Sequence, residues 1–230
     1  MDIDLNSDLG EGCGLDAELM PLITSANVAC GFHAGDPVII LDTLRAAARY
    51  GVQVGAHPGF HDREHFGRIE LQLPEERIFA ECVYQIGAVA GLARTVGLTL
   101  RYVKPHGALY NMACRDDALA HPVVAAAELF GLAIMGLPGS RLEALSKDRC
   151  PFVAEGFADR RYRPDGSLVP RSQPDAFVTD AAEAVRQAER LIVEHGVRTL
   201  CVHGDNPQAL AFIRELRDVL TSRGHRIARF

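Results

Sequence analysis

Short apolar stretches alternate with longer segments of helical periodicity along the 230-residue chain. This alternation is typical of repeated βα units around a mainly parallel sheet. The predicted strands are Ile3–Asn6, Ala26–Cys30, Val52–Ala56, Thr99–Val103, Leu132–Gly136, Phe152–Glu155 and Thr199–His203. The predicted helices are Val38–Tyr50, Pro74–Val96, Ala118–Phe130, Arg141–Lys147, Asp180–His195 and Pro207–Arg223. The last apolar stretch, Arg226–Phe230, is either an eighth strand or a tail.

Seven or eight such units follow one another without a change in composition. They predict a single α/β domain over residues 1–230, built as a closed or nearly closed barrel, with an open doubly wound sheet as the alternative. The Pro- and Arg-rich segment Arg160–Gln173 is interpreted as a long functional loop, because it has no low-complexity character and no second domain follows it. Both architectures place the active site at the carboxyl ends of the strands.

Charge and cysteine usage narrow the class of protein. The formal net charge of −6 provides no basic surface for nucleic acid or anionic lipid, which favours small molecules or proteins as partners. The six cysteines form no CxxC pair, which predicts reduced thiols and a cytoplasmic location. The acidic N-terminal sequence does not resemble a signal peptide, and no segment has 18 consecutive apolar residues, so we expect neither export nor membrane insertion.

Polar side chains cluster directly after the predicted strands. Parallel strands would bring these side chains to one rim, where barrels and doubly wound sheets build their catalytic sites. In strand order the candidates are Asn6, Asp8 and Glu11; His33 and Asp36; His57; Lys104 and His106; Glu155, Asp159 and Arg161; and His203 and Asp205.

Some of these residues also have a purely structural interpretation. Asp36 precedes Pro37, a pairing that N-caps many helices without further function. A single histidine at a strand end is more often structural than catalytic, but four at corresponding positions favour function. Lys104 is followed by a proline and then by His106, a context that favours a site residue over a surface lysine.

Metal and nucleotide sites are not marked by short motifs. Asp8, His33 and His57 offer the mixed nitrogen and oxygen ligands of hydrolytic metal sites, so they are candidates for a divalent ion. The chain contains no HExxH, EF-hand, GxxxxGK[ST] or GxSxG sequence. Any ATP site is therefore unconventional or lies on a partner.

A series of longer motifs runs through the chain in order. They are DLNSDLGE, SANVACGFHAGDP, GAHPGF, FGR, VKPHGALYN, EGFADRRY, GSLVPR and CVHGD. By these motifs the chain resembles the LamB/YcsF family, the A subunit of prokaryotic 5-oxoprolinase. The resemblance implies an irregular seven-stranded β/α barrel of the glycoside hydrolase/deacetylase type that works with subunits B and C. It also implies that 5-oxo-L-proline is opened to L-glutamate with hydrolysis of ATP as co-substrate.

The resemblance to the family carries over to all of the candidate positions above except Asn6, and the role given to each residue is our own inference. The expected catalytic residues are Asp8, His33, His57, Lys104, His106, His203 and Asp205. The expected substrate-binding residues are Asn6, Glu11, Asp36, Glu155, Asp159 and Arg161. Our hypothesis gives the role of general base to His106 or His203, oriented by Asp205 or Asp8, and has Lys104 and Arg161 hold anionic groups.

Two other functions fit the same residues. One is a metal-dependent deacetylase or amidohydrolase that acts alone. The other is a non-catalytic subunit that captures substrate for its partners. The density of titratable groups favours catalysis, because binding pockets usually need only a few polar groups.

Overall fold

The computed structural model describes residues 1–202 and 209–230. Its strands are β1 (Asp2–Leu9), β2 (Ser25–Ala29), β3 (Gln53–His57), β4 (Leu100–Val103), β5 (Ala133–Gly136), β6 (Phe152–Phe157), β7 (Thr199–Cys201) and β8 (Arg226–Ile227). Each of the seven predicted strands therefore has its counterpart. The predicted end of the seventh strand, His203, lies outside the described residues.

The strands close into a barrel. Each strand from β1 to β6 pairs in parallel with the next, and β7 pairs with β1, where Leu200 lies opposite Leu5. The short β8 pairs in parallel with the amino-terminal end of β1, where Ile227 lies opposite Ile3. The closed seven-stranded barrel is confirmed, and the alternative of an open doubly wound sheet is wrong.

Helices connect the strands on the outside of the barrel. They are α1 (Asp16–Leu19), α2 (Pro37–Tyr50), α3 (Glu75–Thr95), α4 (Gly107–Arg115), α5 (Asp117–Leu129), α6 (Arg141–Ser146), α7 (Ala181–His195) and α8 (Ala209–Ser222). Asp36 caps the start of helix α2, because its carboxylate accepts hydrogen bonds from the amides of Val38 and Ile39, and Gly51 caps its end in the left-handed conformation. Helices α1 and α4 were not predicted.

The amino-terminal half of the barrel interior holds a buried carboxylate. Asp4 accepts hydrogen bonds from the hydroxyls of Thr24 (2.6 Å), Ser25 (2.5 Å) and Thr199 (2.5 Å). Thr199 Oγ1 in turn accepts from Asn6 Nδ2 at 2.7 Å, one layer closer to the carboxyl ends. A hydrogen-bonded chain of inward-facing side chains therefore runs along the barrel axis from Asp4 towards the rim.

Tyr102 fills the barrel beside β3. A Cβ atom at Gly55 would lie 2.2 Å from Cε2 of the Tyr102 ring, so only glycine fits opposite this tyrosine. The Tyr102 hydroxyl donates to Asn27 Oδ1 at 2.7 Å. Met135 and Val153 pack with the ring, which closes the interior below the polar residues of the rim.

No helix in the described part of the chain is long and apolar enough to cross a membrane.

Candidate active site

The carboxyl ends of β1, β3 and β4 bring six of the predicted side chains together. Asp8 belongs to the last residues of β1, His57 ends β3, and Lys104 follows β4 directly. Loops supply the other three, Glu11, His33 and His106. All six are buried or largely buried, with side-chain exposures of 10% or less. We call this group the rim cluster.

Two histidines of the rim cluster face each other. His57 Nε2 lies 3.0 Å from His106 Nδ1. The other ring nitrogen of each histidine is held by a backbone carbonyl, since His57 Nδ1 donates to Lys104 O (2.7 Å) and His106 Nε2 donates to Phe66 O (2.8 Å). Each neutral ring therefore directs its lone pair at the other. Two lone pairs at this distance repel each other, and a cation shared by both rings, either a proton or a metal ion, removes the repulsion.

His33 and Glu11 complete this side of the cluster. The rings of His33 and His106 are stacked, with centroids 3.7 Å apart and planes within 3° of each other. Glu11 Oε1 lies 3.2 Å from His33 Nε2 and 3.4 Å from His106 Nδ1. A single carboxylate oxygen thus reaches both stacked imidazoles.

The stacked histidines are kept neutral by their surroundings. Burial and the neighbouring His57 lower the pKa of His33 well below its ordinary value. Burial, His33 and His57 lower the pKa of His106 in the same direction. Two cationic rings stacked at this distance would repel each other, so the neutral forms are favoured. Neutral imidazole is also the form that binds metals.

The donor set fits a divalent cation. One ligand atom from each of Glu11, His33, His57 and His106 lies within 4.8 Å of the others. Asp8 Oδ2 is close by, 3.4 Å from His57 Nε2. The far ring nitrogens of His57 and His106 both donate to backbone carbonyls, which is how metal-binding histidines are usually oriented. Of the metal candidates named from the sequence, His33 and His57 belong to this group and Asp8 adjoins it.

The other carboxylate oxygen of Asp8, Oδ1, contacts Lys104. Its Nζ is 3.0 Å from Asp8 Oδ1 and 2.7 Å from Glu155 Oε1. Burial opposes the charge of Lys104, but the carboxylates of Asp8 and Glu155 hold the pKa of its ammonium well above the ordinary value. Nζ also lies 3.3 Å from Asn6 Oδ1 and 3.2 Å from Cys201 Sγ. All three N–H groups therefore have partners within the protein.

The remaining predicted residues occupy different places. Asn6 and Glu155 are fully buried and support Lys104 from below, while Asp159 follows β6 and is largely buried. Asp36 caps α2 and is not among the residues that line the large cleft at the rim, in agreement with its structural interpretation. Arg161 forms a bidentate ion pair with Glu183, with Nη1 2.5 Å from Oε1, and does not line the cleft described below. His203 and Asp205 lie outside the described residues.

The segment that carries FGR shapes the cluster in a way that sequence reasoning missed. Phe66 adopts a positive φ of 57°, which is uncommon for a bulky side chain and indicates local strain. This conformation presents its carbonyl to His106. A Cβ atom on Gly67 would lie 2.8 Å from Cβ of His33, so this glycine permits the close approach of the stacked histidines.

A cleft of about 740 Å³ opens onto the rim cluster. Asp8, Glu11, His57, Lys104 and His106 form its inner end. The rest of its lining comes from Tyr110 and its neighbours in α4, from the segment after β5 and from the loop 160–172. The other charged residues of the lining include the arginines 68, 115, 160, 163 and 171. The cleft is large enough for a small substrate together with a second ligand.

Fold and site together define a β/α barrel of the glycoside hydrolase/deacetylase type, with carboxylates and histidines at the carboxyl rim. The fold is shared with a family 4 carbohydrate esterase from Streptomyces lividans, solved with acetate (TM-score 0.56, 14% identity, 99% of this chain and 91% of that chain). A polysaccharide deacetylase from Bacillus cereus is similar to the same degree (TM-score 0.57, 13% identity, 100% and 91%). At these identities the likeness concerns the fold alone.

A nearer relative defines the family. A lactam utilization protein from Thermus thermophilus superposes with a TM-score of 0.91 at 41% identity, over 100% of both chains. The LamB/YcsF family profile matches residues 3–230. The chain belongs to the LamB/YcsF family, which confirms the resemblance read from its motifs.

Proposed function

We propose that this protein opens the ring of 5-oxo-L-proline to L-glutamate, with hydrolysis of ATP, as the A subunit of a complex with subunits B and C. The observation that carries the proposal is the rim cluster at the inner end of a cleft, where Asp8, His57 and His106 converge on one point. Membership of the LamB/YcsF family and the similarity to a lactam utilization protein support a cyclic amide as substrate.

A five-membered lactam is a resonance-stabilised amide, and phosphorylation of its carbonyl oxygen makes it reactive. The γ-phosphoryl group leaves ADP and bonds to the lactam oxygen, while the lactam nitrogen loses its proton. Water then adds to the activated carbon, the C–N bond breaks, and the nitrogen takes up both protons of that water, which yields γ-glutamyl phosphate. A second water converts this intermediate to L-glutamate and phosphate.

His57 is the best-placed general base for the attacking water. His57 lines the cleft, and Asp8 Oδ2, 3.4 Å from its Nε2, would stabilise the imidazolium that forms. His106 is a weaker base because its pKa is lowered, and it serves to fix His57. Lys104 orients Asp8 rather than holding a substrate anion, since its N–H groups already contact Asp8, Glu155, Asn6 and Cys201.

The second candidate function is a metal-dependent deacetylase or amidohydrolase acting alone. The grouping of Glu11, His33, His57 and His106 favours it, because these residues would hold a divalent ion. Such an ion supplies Lewis-acid polarisation of a carbonyl and lowers the pKa of a bound water. In this case Asp8 would act as the base beside the ligands, and no ATP would be consumed.

One assay separates the candidates. Release of glutamate and phosphate from 5-oxoproline and ATP is measured with this chain alone, with subunits B and C alone, and with all three. We expect turnover only with all three, lowered at least about 100-fold by His57→Ala and unchanged by the exposed control His121→Ala. Turnover that survives both His57→Ala and His106→Ala would instead indicate a substrate-capture subunit. Chelator-sensitive hydrolysis of acetamido substrates by this chain alone would support the deacetylase.

A further inference from the structure

We infer that Asp4, buried in the amino-terminal half of the barrel interior, is a positioning residue for Lys104 at the rim. It acts through hydrogen bonds of two intervening side chains, Thr199 and Asn6. We call these four residues the inner link. The inference rests on the proposed function, in which Lys104 orients Asp8. It adds that the site is also set from inside the barrel, by a carboxylate that is not among the described residues lining the cleft.

Three hydrogen bonds connect the two charged ends of the inner link. Thr199 Oγ1 donates to Asp4 Oδ2 at 2.5 Å, and Asn6 Nδ2 donates to Thr199 Oγ1 at 2.7 Å. Lys104 Nζ donates to Asn6 Oδ1 at 3.3 Å. All four residues are buried, with exposures of 2% or less, so bulk water does not compete for these bonds. In such surroundings, hydrogen bonds in series polarise and strengthen one another.

The donors and acceptors of the inner link all point one way. An ammonium only donates, so the oxygen of the Asn6 amide has to face Lys104 and its NH₂ group has to face Thr199. A second donor, Asn27 Nδ2, holds the same oxygen at 2.7 Å. Because Thr199 accepts from Asn6, its own hydrogen is directed to Asp4. The orientation of the Asn6 amide is therefore tied to an acceptor at position 4.

Asp4 is the charged acceptor that holds this direction. Its Oδ1 accepts from the hydroxyls of Thr24 (2.6 Å) and Ser25 (2.5 Å), so that with Thr199 three hydroxyls donate to one carboxyl group. Such short O–H···O distances are typical of an ionised carboxylate, whose hydrogen bonds are roughly twice as strong as neutral ones. Burial raises the pKa of Asp4 to about 6, so at neutral pH the charge is present at a cost to stability. This cost favours a role for the charge at the site.

Lys104 passes the constraint on to the rim cluster. Its Nζ lies 3.0 Å from Asp8 Oδ1, and the other oxygen of this carboxylate lies 3.4 Å from His57 Nε2. If the Asn6 amide turned around, its NH₂ group would face the ammonium, and Lys104 would move to avoid it. Asp8 would then lose its fixed orientation, and the imidazolium on His57 would lose its stabilisation.

Nuclear magnetic resonance of the lysine side chains tests the inner link in the full protein, without partners or lactam. The sequence has two lysines, Lys104 and the exposed Lys147, so lysine labelled with ¹³C and ¹⁵N gives two Nζ signals, which Lys147→Arg assigns. Asp4→Asn keeps the shape of the side chain but weakens the bond from Thr199, and Thr199→Val removes that bond. Each should shift the Lys104 signal and leave the Lys147 signal unchanged. Thr199→Ser keeps the hydroxyl and should retain the wild-type signal.

The double variant Asp4→Asn/Thr199→Val separates the inner link from the electric field of Asp4. If Asp4 acts through Thr199, the double variant has the Lys104 signal of Thr199→Val alone. A further shift in the double variant would overturn the inference, because the charge would then act through space. An unchanged Lys104 signal in both single variants would overturn it as well. Thermal unfolding checks that each variant is folded, and Thr199→Val with Thr199→Ser provides the test if Asp4→Asn does not fold.

Turnover of 5-oxoproline by the three-subunit complex gives the second readout. Asp4→Asn and Thr199→Val should each lower kcat about tenfold, a part of the roughly 10²–10⁴-fold that a general base contributes, and leave KM unchanged. The exposed control Asp42→Asn should change neither. A rise in KM at unchanged kcat would overturn the inference. Shifted Lys104 signals without lactam turnover by the wild-type complex would refute the proposed function and leave the inner link standing, and turnover with unshifted signals would do the reverse.

Discussion

His57 Nε2 lies 3.0 Å from His106 Nδ1, and a backbone carbonyl accepts a hydrogen bond from the far nitrogen of each ring. This pair determines what the rim cluster can do. If a proton lies between the rings, it must move to His106 before His57 can accept a proton from water, and Asp8 then stabilises the imidazolium. If a metal ion lies there, the two rings are ligands oriented by their carbonyl partners. The two proposed functions therefore differ in what occupies the position between the two imidazole rings, a proton or a metal ion.

The first prediction concerns metal binding. Titration of the metal-free chain with Zn²⁺, followed by calorimetry, should reveal one site if the cluster is a metal centre. His106→Ala removes one of its nitrogen ligands and should weaken binding by at least about 10–100-fold, the loss that follows when a group that only orients a metal ligand is removed. His121→Ala, an exposed histidine 3.8 Å from Glu75, is the control. Equal Zn²⁺ affinity in both variants would exclude the cluster as the site.

Lys104→Met should destabilise the fold. The substitution leaves Asp8 and Glu155 near each other without the ammonium that separates them, and loss of one partner of a buried ion pair costs about 3–5 kcal/mol. Urea denaturation measures the change in free energy of unfolding. Lys147→Met, at an exposed lysine, should change it by less than about 0.5 kcal/mol. A Lys104 variant as stable as the Lys147 control would show that the buried pair is not charged.

Most of the barrel could be predicted from the sequence because its strands are short, apolar and bounded by turn residues. Helix α4 could not. Five of its nine residues are buried, and its exposed polar residues are only Asn111 and Arg115, which are too few to reveal a 3.6-residue period. Helix α1 has only four residues, too few to show any period.

The site was predictable as a set of residue types but not as a geometry. Strand ends identified His57, Lys104 and His106, yet the stacking of His33 on His106 depends on Gly67, far away in the sequence. Arg160 and Arg161 show what the local sequence alone does not predict. Arg160 forms a bridge with Phe177 and lines the cleft, whereas Arg161 points to Glu183 outside it. A shift of one residue in extended backbone exchanges the two faces, and the sequence does not specify which arginine faces inward.

The pH dependence of stability should reflect Asp4. Burial, which outweighs the hydrogen bonds from Ser25, Thr199 and Thr24, raises its pKa from 3.8 to about 6. Because the folded pKa is above the unfolded one, the contribution of Asp4 to stability is fully present below about pH 4 and is lost as the pH rises through about 6. The loss is up to about 3 kcal/mol. Asp4→Asn should flatten this part of the curve of unfolding free energy against pH, and the exposed control Asp42→Asn should retain it.

The last prediction tests why β3 carries Gly55. A Cβ atom at this position would overlap the Tyr102 ring, so Gly55→Ala should cost about 1–3 kcal/mol or more through overpacking. Tyr102→Leu alone should also destabilise, because it leaves a cavity and removes the hydrogen bond to Asn27 Oδ1. If the clash is the cause, the double variant should be more stable than the sum of the two losses predicts, since each change accommodates the other. Additive losses in urea denaturation would instead trace the effect of Gly55→Ala to the backbone of β3.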